Sequence, residues 1–264
     1  MRIFRRILMT VVIPCGVLFA GGYWIAPVAL SFYAAKKAPA TASVIPSDLA
    51  DHSISQAPGL RLSYAGYQFE VPWSDLDDTQ TKLYPQNGAE KNEAVLTFRS
   101  GLRMMVMAVP ARQFVREFSS DFNPAPHIVN TSFENGSVAS DYVIASNIYN
   151  FSPAHMHYWS LSPEVHYREN VMLSMKSMLP GSAEHGIFNI QTAGYRGFQQ
   201  GNPQVRQDTL LLNLYSENGS VQIKFWQKDY RNPTGITQAE INRVIQSLQR
   251  KVAQENPTSI AQSR

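Results

Sequence analysis

The chain has 264 residues, 44% hydrophobic and 16% charged, with 15 Gly, 16 Pro and one Cys. That length buries a core in one or two domains, the composition excludes a disordered protein, and one cysteine excludes both an intramolecular disulfide and a Cys-based zinc site. Net charge is +3, but residues 1–37 hold five bases and no acid, so the other 227 residues carry 18 bases against 20 acids and give no ground for a nucleic-acid partner.

From Ile7 to Ala35 there are 29 residues without a charge, bounded by Arg5-Arg6 and Lys36-Lys37. As a helix this run would measure roughly 44 Å, more than a hydrocarbon core of about 30 Å requires. A cleaved signal peptide competes with an uncleaved anchor, and Ala38-Pro39-Ala40 or Ala40-Thr41-Ala42 would serve as the cleavage site. A signal peptide's apolar region normally spans about 7–15 residues, so the length favours the anchor. Pro14, Gly21-Gly22 and Pro27 interrupt the run, and Tyr23, Trp24, Phe32 and Tyr33 lie late in it, where an aromatic belt would meet the outer interface. Three arginines before the span against two lysines after it favour a cytoplasmic N-terminus and a C-terminal body outside. Cys15 follows Pro14, a poor lipidation context, and reads as a small apolar residue of the helix.

The expected organisation is an anchor (1–37), a flexible Ala/Ser/Pro-rich tether (38–58), one extracytoplasmic α+β domain (59–253) and a polar tail (254–264). In chain order, 60–64 and 67–71 alternate around Ala65-Gly66, and 94–99 and 102–109 flank Ser100-Gly101, two hairpin signals. Residues 111–119 read as a helix, as do 141–149 behind Asp141 and 163–178 behind Ser162-Pro163. Residues 187–199 are extended and broken at Gly194. Leu210, Leu212 and Leu214 then alternate up to Asn218-Gly219, expected as a two-residue turn, and Val221, Ile223 and Phe225 alternate down the other side. Thr237-x-x-Glu240 is a capping box, followed by the stripe Ile241, Val244, Ile245, Leu248, Val252. The expected fold is α+β: an antiparallel sheet of about six strands with helices packed on it, preceded by one transmembrane helix.

The strand Gly66-Tyr67-x-Phe69-x-Val71-Pro72-Trp73 near the start and the final hairpin followed by the 238–252 helix resemble the PsbP/Mog1-like domains. The resemblance implies a small α/β/α sandwich of a kind that is often extracytoplasmic and non-enzymatic.

The metal candidates are His155, His157 and His166. In an extended segment His155 and His157 share a face, and His166 or Glu164 would supply a third ligand; the competing reading is of ordinary polar residues on an aromatic-rich loop. Met104, Met105, Met107 and Met172, Met175, Met178 would suit copper(I), but the second set repeats at i, i+3, i+6, which reads as core packing. Asp75-Leu76-Asp77-Asp78 lacks the glycine and glutamate of a calcium loop and reads as a helix N-terminus behind Ser74. There is no Gly-x-Ser-x-Gly elbow, P-loop, dinucleotide fingerprint or His-Glu-x-x-His, and no cofactor is expected. In Lys224-Phe225-Trp226 alternation turns Phe225 inward and Trp226 to the other face. Asn130, Asn135 and Asn218 head sequons, meaningful only in a eukaryotic secretory pathway. The expected function is a membrane-anchored, non-enzymatic accessory protein of the cell envelope, with the bilayer as partner through residues 7–35, a second protein partner, and no nucleic acid. The alternatives are an extracytoplasmic enzyme, hydrolytic or metal-dependent, with a dispersed site, or metal handling through the Met and His clusters.

Overall fold

The computed structural model describes residues 13–86, 90–111, 140–160, 162–205, 209–229 and 235–251. Apart from Ala111, the helix expected over 111–119 lies outside the described residues, as do the tail after 253, Asn130 and Asn135.

Alternation becomes strands where the sequence analysis placed it. Strands β2 (Leu60–Tyr64) and β3 (Tyr67–Val71) pair antiparallel around Ala65-Gly66. Both turn residues are left-handed, with φ of 51° and 77°, the turn whose twist matches that of the flanking strands. Strands β4 (Lys82–Gln86), β5 (Glu90–Thr97) and β6 (Leu102–Pro110) follow as a meander. Later come β7 (Ile187–Gln191), β8 (Arg196–Gln200), β9 (Thr209–Ser216) and β10 (Gly219–Gln227). Between β9 and β10 the turn sits one residue earlier than expected. Gly219 pairs with Ser216, so Glu217 and Asn218 form the loop and Gly219 opens β10 at φ 130°. A Cβ there would stand 2.7 Å from the Val109 carbonyl oxygen of β6. The glycine therefore answers to the neighbouring strand as well as to the turn.

The large sheet runs β1-β7-β8-β9-β10-β6-β5-β4, where β1 is Ser47–Asp48 and pairs parallel with β7 while all other pairs are antiparallel. A second sheet, β11-β3-β2, recruits β11 (Gln249–Arg250) from the end of the described chain. The single antiparallel sheet of about six strands is thus corrected to a mixed eight-stranded sheet and a separate three-stranded one. The strands missed are β4 and the two-residue β1 and β11, too short to alternate and defined only by their partners.

Helix α4 (Gln238–Ser247) and the small sheet cover one face of the large sheet. Leu210, Leu212, Leu214, Val221, Ile223, Phe225, Met104 and Val106 meet Phe69, Val71, Ile241 and Val244 there, all buried. The capping box is formed: the Thr237 hydroxyl accepts from the Glu240 N–H, and Glu240 Oε2 accepts from the Thr237 N–H at 2.8 Å. The other oxygen of Glu240 accepts from Trp73 Nε1 at 3.1 Å, which ties the early strand to the closing helix. Helix α4 ends at Ser247, and the chain turns into β11 instead of continuing to Val252.

On the second face lie α2 (Asp141–Asn150) and α3 (Pro163–Ser177). Ser140, not Asp141, caps α2, accepting from the Val143 N–H at 3.2 Å. Ala145, Tyr149, Ala183, Ile187 and Phe198 form a second core there. The inward line of α3 is His166, Glu169, Leu173 and Lys176, all buried, whereas Met178 is 72% exposed and Met172 and Met175 are half-buried. The methionine stripe is therefore not the buried line. No helix forms behind Ser74: Asp77 instead accepts from Thr79 N–H at 3.1 Å, Thr79 Oγ1 at 2.6 Å and Gln80 Nε2 at 2.8 Å, closing a turn.

Helix α1 (Ile13–Lys37) lies along α3. Among the described residues no helix is long and apolar enough to cross a membrane. Residues 38–58, expected as a tether, touch the domain repeatedly. Thr41 and Ala42 are buried, β1 joins the large sheet, and Asn242 of α4 donates to the Asp51 and Ser53 carbonyls at 3.0 and 2.8 Å.

Candidate functional site

The structure gives each of the three metal candidates a different partner and does not gather them around one point. His155 ends a short turn, Pro153–His155, with its Nδ1 3.3 Å from the Ser152 hydroxyl. His157 donates from Nδ1 to Glu169 Oε1 at 2.6 Å, and its backbone N–H donates to Glu169 Oε2 at 2.9 Å. The His157 side chain is 73% exposed while that of Glu169 is buried, so the loop closes over the carboxylate. The partners of His166 settle its tautomer. Nε2 lies 2.8 Å from the Ser160 carbonyl, which can only accept, so Nε2 carries the proton. Nδ1 then accepts from the Ser31 hydroxyl at 3.0 Å, and Asn170 Nδ2 donates to the same Ser31 oxygen at 3.1 Å. Both nitrogens of His166 are occupied. Glu164, the other third ligand considered, is exposed at the first turn of α3. No group of three His, Cys, Asp or Glu that could hold a metal ion is present among the described residues.

The hydrolase reading meets a Ser–His pair here, Ser31 with His166. A nucleophile must reach its substrate, and Ser31 and His166 are both fully buried between two helices. Their contact is a helix-docking device. It hides the Ser31 hydroxyl of α1 against α3 and satisfies the ring it meets.

Polar residues on the inner line of α3 act on main chain. Lys176 donates from Nζ to the Tyr149 carbonyl at 2.7 Å and to the Phe151 carbonyl. Burial pushes its amine down to about 8. With Glu169 holding the His157 N–H and His166 holding the Ser160 carbonyl, α3 fastens the 149–160 segment at three points by side chain to backbone. Sequence reasoning identified His157 and His166 but missed Glu169 and Lys176, because a charged residue at helical spacing reads as a solvated face.

Around this junction the surface is apolar. Phe32 of α1 stacks on Tyr158 with centroids 4.5 Å apart and meets Trp159 edge-on at 5.4 Å. Trp159 is 82% exposed, and Ile25, Leu30, Phe32 and Tyr33 of α1 and Tyr167 of α3 are exposed as well. A groove of about 780 Å³ runs between the two helices, lined by Ala26, Pro27, Leu30, Pro163, Tyr167 and Val171 among others.

No family model, no curated protein and no solved structure matches this chain.

Proposed function

We propose that the protein is a membrane-anchored accessory protein of the cell envelope that works by binding rather than by catalysis. Residues 7–35 hold the protein to the bilayer, the N-terminus is cytoplasmic, and the α+β domain stands outside with α3 packed against the C-terminal half of α1. The observation that carries this reading is the set of exposed apolar side chains Ile25, Leu30, Phe32 and Tyr33 within the 29-residue uncharged run, with Trp159 against Phe32. A bilayer interface accommodates such aromatic groups at little cost, whereas water does not. The buried Ser31–His166–Asn170 contacts support a domain held close to the lipid surface by its own helix, not hung from a free tether.

The test is the full-length chain in its native membrane, washed with alkaline carbonate, with protease added from either side. Retention in the pellet with the domain cut from the outside supports anchoring and orientation; release by carbonate overturns both. Mild crosslinking of the same membranes should capture a reproducible, near-stoichiometric partner, and a retained protein with none overturns the accessory role.

A further inference from the structure

A cleft of about 560 Å³ lies between helices α2 and α3 and the second face of the large sheet. Its apolar walls are Met107 and Leu211 of the sheet, Ile148 of α2, Met175 of α3 and Leu179 just beyond it. The side chains lining it carry no charge. Inside these walls is a cluster of amides around one phenol. Gln200 Nε2 donates to the Tyr149 hydroxyl at 2.5 Å, Asn213 Nδ2 donates to the same oxygen at 3.0 Å, and Gln222 Nε2 donates to Asn213 Oδ1 at 2.9 Å.

Two hydrogen-bonding capacities in this cluster are left over. Tyr149 receives two donors, so its own proton remains to be given; burial pushes the phenol up to about 12, which keeps it neutral and a donor over the physiological range. Gln200 is 1% exposed, and its Oε1 has no hydrogen-bond partner among the described residues. Its chain neighbour shows what a closed amide looks like. On the opposite face Gln199 and Gln238 exchange both bonds, at 2.8 and 3.0 Å, and Gln238 also reaches Asn242 at 2.9 Å. Gln199 is satisfied in full, whereas Gln200, one residue later and facing the cleft, is not. Buried acceptors are ordinarily paired, and a binding site with an apolar body and a few convergent polar groups is where an open one is expected.

We propose that this cleft binds a neutral small molecule with an apolar body and a hydroxyl or primary amide head, which donates to Gln200 Oε1 and accepts the Tyr149 O–H. The lining offers no cation to a carboxylate and no anion to an ammonium, so charged analogues of the same size are rejected by uncompensated desolvation. The site is independent of the membrane reading.

The test is calorimetric titration of the full-length chain with octanamide and 1-octanol, against octanoate and octylammonium. The neutral probes should bind at least tenfold more tightly than the charged ones. Gln200→Met should weaken octanamide tenfold or more, and Leu179→Trp, which fills the cleft from its wall and leaves the amide cluster intact, should abolish binding. If Gln200→Met fails to fold, Leu179→Trp and the neutral-to-charged ratio still decide the matter. Equal affinity for octanamide and octanoate, no binding of either neutral probe, or binding unaffected by Leu179→Trp would overturn the proposal.

Discussion

Lys176 lends itself to a direct measurement. Its amine is fully buried, holds the Tyr149 and Phe151 carbonyls, and is pushed from 10.5 down to about 8 by burial. Between pH 8 and 10.5 the folded chain has released this proton while the unfolded chain still binds it. The unfolded state then binds more protons, so stability rises with pH across that window. At about 1.36 kcal/mol per unit the full effect has a ceiling of about 3 kcal/mol, and water reaching the amine reduces it. Above pH 10 the sign reverses. Tyr149 and Tyr195 are pushed up to about 12, so unfolded tyrosines lose protons that the folded ones keep, and stability falls. Urea unfolding of the full-length chain, followed by tryptophan fluorescence at half-unit steps from pH 7.5 to 11, should show a midpoint that climbs to near pH 10 and then drops. Lys176→Met should flatten the climb and keep the drop. A wild-type midpoint constant between pH 8 and 10, or an unchanged climb in Lys176→Met, would refute the reasoning.

Four further outcomes are expected. Gly197→Ala places a Cβ 2.0 Å from the Asn213 carbonyl oxygen of β9 and should cost about 3 kcal/mol in urea unfolding, since backbone rather than a mobile side chain must give way. Ala65→Gly should raise stability by about 0.5 kcal/mol, because relief of an L-residue at φ 51° outweighs the entropy of the new glycine. Thr237→Ala removes the hydroxyl half of the capping box and should cost about 1 kcal/mol, with Thr237→Ser recovering most of it. Ser31→Ala strips the partner from His166 Nδ1 and Asn170 Nδ2; limited proteolysis should then cut residues 38–46 faster, with β9, β10 and α4 still resistant.

The fold was legible where burial follows a simple period. Leu210, Leu212 and Leu214, with Val221, Ile223 and Phe225 opposite, alternate because each strand has a dry face, and that alternation is local information. The capping box of α4 is local too. What failed depends on distant partners. The strands β1 and β11 exist because β7 and β3 present open edges to them. The Glu217-Asn218 turn is shifted by the approach of Val109 to Gly219. Asp77 satisfies its own neighbours' N–H groups and so ends as a turn, not a helix start. On α3 the methionines carried the helical spacing, yet His166, Glu169 and Lys176 took the buried line, because main-chain groups of the 149–160 segment needed partners. Residue pattern cannot show that need. Of the candidate site, His157 and His166 were visible as residues but not their roles, and nothing in the strand pattern distinguished Gln200 from Gln199.

The small sheet sets a schedule on synthesis. Tyr67 and Gln68 pair with Arg250 and Gln249, and the dry sides of Phe69 and Val71 meet β9, β10 and α4. Their cover leaves the ribosome about 180 residues after them, roughly 10 to 35 seconds at ordinary elongation rates. During that interval the β2–β3 hairpin has neither its third strand nor its core, and two strands alone are marginal in water. The first-made strands are closed by the last-made ones, so a premature stop anywhere upstream of α4 yields a nascent chain with its apolar hairpin bare, a substrate for chaperones and proteases.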